Sequence, residues 1–262
     1  MTLYPADDIN HARRSGGAWL LTGERVLITG ATGFLGSWMK ETLDYQCLIT
    51  ASRDFIDGVY DTIFHFAPTP IEPIIECAQK SGAMVVYASS GAVYGGVEKQ
   101  VSEDDIVQPK TLYGKEKARS EQLLIESGVD YQIYRLFTLA GPGMRNYFAL
   151  THFIDAVKHG DPIEVFGNGQ MVRSYLYAAD ATGWMLHLLN APQGVYNIGS
   201  EIPITIDALA EEISYYAHGH PYKYTRPDWI EPAPFYLPSC RKARDYGCYQ
   251  KFGLDHILKR ML

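Results

Sequence analysis

Apolar residues along the first half of the chain follow two alternating periods. Val26-Leu27-Ile28 is an apolar run from Arg25 to Gly30, the length and make-up of a buried strand. Beyond a glycine-rich turn, Phe34 to Leu43 takes helical spacing. Cys47 to Ala51 and Thr62 to Ala67 predict two more strands, and Pro70 to Lys80 a helix that opens near proline. Met84 to Ala88 predicts a further strand, Leu112 to Ser127 a helix, and Tyr131 to Phe137 the strand after it. Strands alternating with helices imply right-handed crossovers and an α/β, doubly wound parallel sheet.

From Gly141 the pattern breaks up, with glycines and prolines through Gly169. Arg173 to Tyr177 and Val195 to Ile198 read as later strands, and Pro221 to Pro238 as an aromatic, proline-rich, irregular stretch. The expected organisation is an N-terminal extension over 1–24 and a sheet domain over 25–140. Segments near 173–199 return to that domain, and 141–262 forms mainly a smaller lobe. No internal repeat is visible.

Composition narrows the function classes. At 262 residues the length suits one large domain or two lobes sharing a core. A net charge of −7 argues against a nucleic-acid partner held by counterion release. Cys47, Cys77, Cys240 and Cys248 stand in no metal-ligand spacing, so no metal site is expected and reduced, buried thiols are the reading. No apolar stretch approaches the ~20 residues that span a bilayer. Asp7, Asp8, Arg13 and Arg14 crowd the N-terminus, unlike a signal peptide. The expectation is a cytoplasmic enzyme with no membrane partner.

The candidate chemistry begins at Thr29-Gly30-Ala31-Thr32-Gly33-Phe34-Leu35-Gly36, a Gly-x-x-Gly-x-x-Gly turn between strand and helix. Gly30 allows the tight turn, Gly33 a close approach to a pyrophosphate, and Gly36 close packing of helix on strand. Amides at the helix start, among Thr32, Gly33, Phe34, Leu35 and Gly36, then face the phosphates. That is a Rossmann-like cradle for NAD or NADP. The ribose discriminator belongs ~20 residues on, at Ser52-Arg53-Asp54. Asp54 would favour NAD, whereas Arg53 with Ser52 would favour NADP, and both stay open.

A second set follows in order. Tyr113 and Lys117 stand four apart on one helix face. The Lys117 ammonium would lower the phenol pKa from ~10 and could hydrogen-bond the nicotinamide ribose. Tyr113 then exchanges a proton with a hydroxyl while hydride moves at its carbon. Ser90, in Ser89-Ser90-Gly91-Ala92-Val93-Tyr94-Gly95, ends a buried strand where open α/β sheets build their sites, and can bind the reacting oxygen.

Thr-Gly-x-x-Gly-x-x-Gly, Ser-Ser-x-x-Val-Tyr-Gly and Tyr-x-x-x-Lys, in this order, resemble the extended short-chain dehydrogenase/reductases of the NAD-dependent epimerase/dehydratase (nucleotide-sugar) type. The resemblance runs from about Arg25 to near the C-terminus. It implies Ser90, Tyr113 and Lys117 as the catalytic Ser/Thr, Tyr and Lys, and Phe66 and Ala67 as part of the cofactor wall. Arg173 resembles the arginine that binds a substrate diphosphate, and Thr138 stands where many relatives have a substrate-contacting Asn. A nucleotide-diphosphate sugar substrate, a substrate-binding C-terminal lobe and a homodimer are implied as well.

Relatives that eliminate or decarboxylate usually carry acidic residues at the positions of Gly91 and Ala92. The expected activity is therefore epimerisation through a transient keto sugar. The alternatives are an NADPH-dependent 4-keto-sugar reductase and a dinucleotide-binding protein without turnover. The stretch between Asp54 and His65 is shorter than in most relatives, trimming the adenine side.

Overall fold

A computed structural model describes residues 4–16, 24–43, 48–51, 58–96, 99–146, 148–219, 221–225 and 235–262. The chain opens with helix α1 (Ala6–Gly16), strand β1 (Val26–Thr29), α2 (Phe34–Thr42), β2 (Leu48–Ala51) and β3 (Thr62–His65). It continues through α3 (Glu72–Ser81), β4 (Met84–Ser90), α4 (Leu112–Glu126), β5 (Tyr131–Leu136) and β6 (Leu139–Ala140). The second half holds α5 (Ala149–His159), β7 (Ile163–Phe166), β8 (Val172–Arg173), β9 (Leu176–Tyr177), α6 (Ala178–His187) and β10 (Gly194–Ile198). It ends with β11 (Ile204–Thr205), α7 (Ile206–Tyr216), β12 (Tyr222–Thr225), α8 (Arg241–Asp245) and α9 (Leu254–Met261).

Six strands form one parallel sheet in the order β10-β5-β4-β3-β1-β2. Successive side chains in these strands point to opposite faces. Ile28, Phe64, Val86, Tyr134 and Tyr196 therefore build one apolar layer with Met39 of α2 and Trp184 and Met185 of α6. Leu27, Ile63, Val85, Tyr87 and Ile133 build the other with Ile74 and Ala78 of α3 and Leu124 of α4. With both faces covered, the strands must read as apolar runs rather than alternations. The doubly wound sheet is confirmed. From β1 the chain moves outward to β2 and then returns to β3 on the other side. The carboxyl ends of β1 and β3 thus flank the reversal point where open α/β sheets bind ligands.

Three local readings change. The run from Arg173 to Tyr177 is two strands: β8 pairs antiparallel with β11, and β9 parallel with β6. Tyr175 and Tyr177 pack into one apolar cluster and Leu176 into the other, the alternation of extended backbone, so the run is divided by its change of pairing partner and not by its side-chain pattern. Within Pro221 to Pro238, Tyr222–Thr225 is a strand on β7, so backbone pairing overrides its irregular composition. The N-terminal stretch contains α1, packed on α6 through Ala12, Gly16 and Gly183. A Cβ on Gly16 would lie 2.8 Å from Leu186 Cβ, so the two helices approach at backbone distance. Among the described residues, no helix is long and apolar enough to cross a membrane.

Candidate active site

The glycine turn is dictated by space. Gly30 adopts φ +72°, and a Cβ there would lie 2.7 Å from Ala67 N and 2.8 Å from Phe66 C. A Cβ on Gly36 would overlap the Gly30 carbonyl oxygen. Gly33 is the N-cap of α2 and offers no side-chain acceptor. The orphan first-turn amides of that helix therefore suit an anionic group. Beneath the turn, buried His65 Nε2 donates to the Thr69 carbonyl at 3.2 Å, and Nδ1 accepts from the Thr29 hydroxyl at 2.7 Å. Burial, reinforced by nearby Lys117 and opposed by the Thr69 bond, lowers the His65 pKa to about 4 and keeps the ring neutral.

Ser90 sits at the carboxyl end of β4, and its hydroxyl caps the 3₁₀ turn Gly91–Tyr94 by accepting from Ala92 N at 3.2 Å. Thr111 caps α4, accepting from Gly114 N at 3.0 Å. A Cβ on Gly114 would stand 2.6 Å from the Ala92 carbonyl, so only glycine lets α4 lie against that turn. This contact carries Tyr113 to the site, 53% exposed. Lys117, one turn on, points inward. Its Nζ donates to the Ala88 carbonyl at 2.7 Å and lies 4.7 Å from the Tyr87 ring centroid and 5.9 Å from that of Tyr113. Burial brings the Lys117 pKa down to about 8, against the opposing pull of Glu121 and Glu116.

A buried polar network fixes this wall from behind. Glu121, four residues beyond Lys117, accepts from Arg135 at 2.8, 3.1 and 3.2 Å and also from the Ser89 hydroxyl. Arg135 Nη1 donates to Tyr94 Oη at 2.9 Å, and that hydroxyl donates to Asn197 Oδ1 at 2.8 Å. Helix α4, β4, β5 and β10 are thereby joined through side chains.

Facing it is a wall from the C-terminal half. Arg173 is partly buried, its Nη1 donating to the Val172 carbonyl at 2.9 Å, and burial draws its pKa below the usual arginine value. The Tyr236 ring lies 4.8 Å from Phe137 and 5.8 Å from the Arg173 guanidinium carbon.

Between the walls is a cleft of about 710 Å³. It brings together Gly30, Gly33, Phe34, Leu35, Gly36, Phe66, Ser90, Tyr113, Lys117, Thr138 and Arg173. Thr32 is exposed and lies off the cleft, and Ala67 is buried behind Phe66. Ser52, Arg53 and Asp54 lie outside the described residues. Met144, Arg145, Phe148 and Tyr236 also line the cleft, and none of them stands in a motif that marks it in the sequence. A second cavity of about 440 Å³ shares Thr138, Phe148 and Arg173 with the first.

Residues 72–199 match the family described as NAD dependent epimerase/dehydratase. The chain is 26% identical over 260 residues to an uncharacterized UDP-glucose epimerase, YtcB, of Bacillus subtilis, covering 72% of this chain and 82% of that protein. Among solved structures it resembles UDP-glucose 4-epimerase from Thermotoga maritima with UDP-glucose, with a TM-score of 0.78 at 21% identity, over 90% of this chain and 96% of that one. UDP-glucuronic acid 4-epimerase from Bacillus cereus in complex with NAD also matches at 0.78, with 19% identity and the same coverage. These structural likenesses carry the fold. The glycine turn, Ser90, Tyr113 and Lys117 are gathered on one cleft, and over residues 72–199 the chain is similar to the NAD dependent epimerase/dehydratase family.

Proposed function

We propose that the protein is an NAD(P)-dependent nucleotide-sugar epimerase. The observation that carries this reading is one cleft lined by the glycine turn, by Ser90, Tyr113 and Lys117, and by Arg173. When bound, the dinucleotide supplies hydride acceptance and return at the sugar carbon.

The first-turn amides of α2 hold the pyrophosphate, and Lys117 holds the nicotinamide ribose. Arg173 grips the sugar diphosphate with its forked donors. Tyr113 takes the proton of the sugar hydroxyl as its carbon is oxidised, with Ser90 donating to the same oxygen. The Lys117 ammonium favours the phenolate form of Tyr113 through its charge. Returning the proton on the same oxygen completes the inversion once the sugar has turned. None of the described residues lining the cleft is acidic, which leaves elimination without its usual acid and base.

A keto-sugar reductase is the second reading. It is favoured by the link between β2 and β3, residues 52–61, which leaves β2 as the outer strand and little chain to enclose an adenosine. A panel of UDP-, dTDP-, GDP- and CDP-sugars, followed by sugar NMR and by absorbance of the reduced nicotinamide, separates the two. Interconversion without net cofactor consumption is expected. Stoichiometric NADPH oxidation on a 4-keto sugar would select the reductase, and dinucleotide binding without turnover would overturn both. Tyr113→Phe should cost about 10²–10⁴-fold in kcat and leave dinucleotide affinity nearly unchanged.

A further inference from the structure

The glycine turn offers backbone amides, so whatever fixes their direction helps to make the cradle. Gly33 caps α2, and the planar peptide that holds its carbonyl also holds the Phe34 N–H, an orphan first-turn donor. The next peptide joins the Phe34 carbonyl to the Leu35 N–H in the same way. Both carbonyls are gripped by one side chain: the Ser37 hydroxyl donates to Gly33 O at 2.7 Å and lies 2.9 Å from Phe34 O. A serine hydroxyl has one proton and two acceptor sites. With its proton so committed, Ser37 accepts from the Tyr4 hydroxyl at 2.6 Å. The Tyr4 ring packs edge-on against Trp38, with centroids 4.8 Å apart.

The other end of α2 is held by the same stretch of chain. Half-buried Arg13 donates from Nε to Thr42 O at 3.0 Å and from Nη2 to Glu41 O at 2.9 Å. One guanidinium thus satisfies two of the carbonyls that a helix C-terminus leaves unpaired, and its charge complements the negative end of the helix dipole. The stretch is anchored in turn on the C-terminal half. Buried Asp8 accepts from Tyr177 Oη at 2.7 Å and pairs with Arg260 at 3.0 Å, and His11 lies 3.0 Å from Asp180.

We infer that Tyr4 and Arg13 are positioning residues for the dinucleotide: α1 and the turn leading into it brace α2 at both ends, which keeps the Phe34 and Leu35 amides aimed at the pyrophosphate. Neither residue lines the cleft, so both act through α2. Tyr4 works through Ser37 on the tilt of two peptides. Arg13 works on the last turn and so on the placement of the whole helix. The brace ties the phosphate end of the cleft to β9, α6 and α9 through Tyr177, Asp180 and Arg260.

The inference rests on the dinucleotide use proposed above, and affinities measured without turnover separate the two. Tyr4→Phe keeps the ring on Trp38 and removes only the hydroxyl. In isothermal titrations with NAD and NADPH it should raise Kd about threefold. Ser37→Ala should cost more, and Tyr4→Phe should add little in that background, because its effect passes through Ser37. Arg13→Ala should raise Kd about two- to fivefold. Arg13→Lys should recover part of this, since the cation stays but the fork is lost. Affinity for the nucleotide sugar that the wild type binds should stay within about twofold throughout.

Urea unfolding of the same proteins supplies the structural reference and shows which are folded during titration; if Arg13→Ala is not, Tyr4→Phe and Arg13→Lys decide. Lower midpoints with an unchanged dinucleotide Kd, or equal losses for both ligands, overturn the inference. A wild type that binds neither NAD nor NADPH overturns it together with the proposed function. A wild type that binds a dinucleotide but converts no nucleotide sugar sinks the epimerase alone, and the dinucleotide titrations still decide the brace.

Discussion

The two walls of the cleft are built by different means. The sheet wall comes from segments each local in sequence: the turn after β1, the end of β4 and the first turns of α4. Its side chains are locked from behind by buried groups, with Glu121 and Arg135 only 3% and 6% exposed. The opposite wall is assembled from strands two residues long and a strap at Tyr236, held by ring contacts and isolated bridges. Positioning by a packed, hydrogen-bonded shell is stiffer than positioning by loops. The division would suit the proposed chemistry, in which proton and hydride transfer need fixed geometry and a substrate-binding wall can be softer.

The largest test of this contrast is Glu121→Ala. It strands the Arg135 guanidinium in the core, and breaking a buried pair from one side typically costs about 3–5 kcal/mol. Urea unfolding should show a loss of that size. Replacing both partners by leucine should restore much of it, since the lone charge is then gone as well. A loss below about 1 kcal/mol for Glu121→Ala would mean that the sheet wall does not depend on the pair.

Arg173→Ala tests the other wall and should give the complementary result. The truncation removes a half-buried cation aimed at the cleft, so affinity for a nucleotide sugar should fall by about 2–5 kcal/mol. Arg173→Lys should recover only part of it, because an ammonium lacks the planar fork. Affinity for NAD or NADP and the urea midpoint should scarcely move. Isothermal titration with both ligands checks this, and an equal loss for the dinucleotide would make Arg173 a structural residue.

The same contrast explains what could be read from the sequence. Gly30, Gly33 and Gly36, and Tyr113 with Lys117, sit in local patterns with a direct backbone meaning, and Ser90 ends an unmistakable strand. Tyr236 carries no such signal. Its place on the cleft depends on contacts across the chain with Phe137 and Arg173, and its surroundings read only as aromatic and proline-rich. Gly91 carries the inverse signal, a missing side chain: a Cβ there would stand 2.7 Å from Tyr236 Oη. In the sequence Asp8 stands with Asp7, Arg13 and Arg14 in a charged N-terminal stretch. In the fold it is 1% exposed, accepting from Tyr177 at 2.7 Å and paired with Arg260 at 3.0 Å. An acidic residue on an amphipathic helix looks solvated until its partners, more than 160 residues away, are in place.

The last and smallest prediction concerns pH, and assigns acid sensitivity to the sheet wall. His65 keeps its folded pKa near 4, well below the ordinary value of 6.5, because it is buried between Thr29 and Thr69. Between those values the unfolded chain binds a proton that the folded chain refuses, so acid pulls the equilibrium toward unfolding. The His65 contribution is fully present above pH 6.5 and is lost progressively as pH falls toward 4. At 1.36 kcal/mol per pKa unit, the whole loss is on the order of 3 kcal/mol. His65→Asn keeps an acceptor near the Thr29 hydroxyl and cannot titrate in this range. It should be less stable than the wild type at pH 7, and the gap should narrow steadily as pH is lowered from 6.5. Carboxylates contribute to the acid limb of both proteins, so the readout is the difference between their urea midpoints, not either slope alone. A gap that stays constant from pH 7 to pH 4.5 would mean that His65 is protonated in the folded protein, and the neutral ring beneath the glycine turn would have to be abandoned.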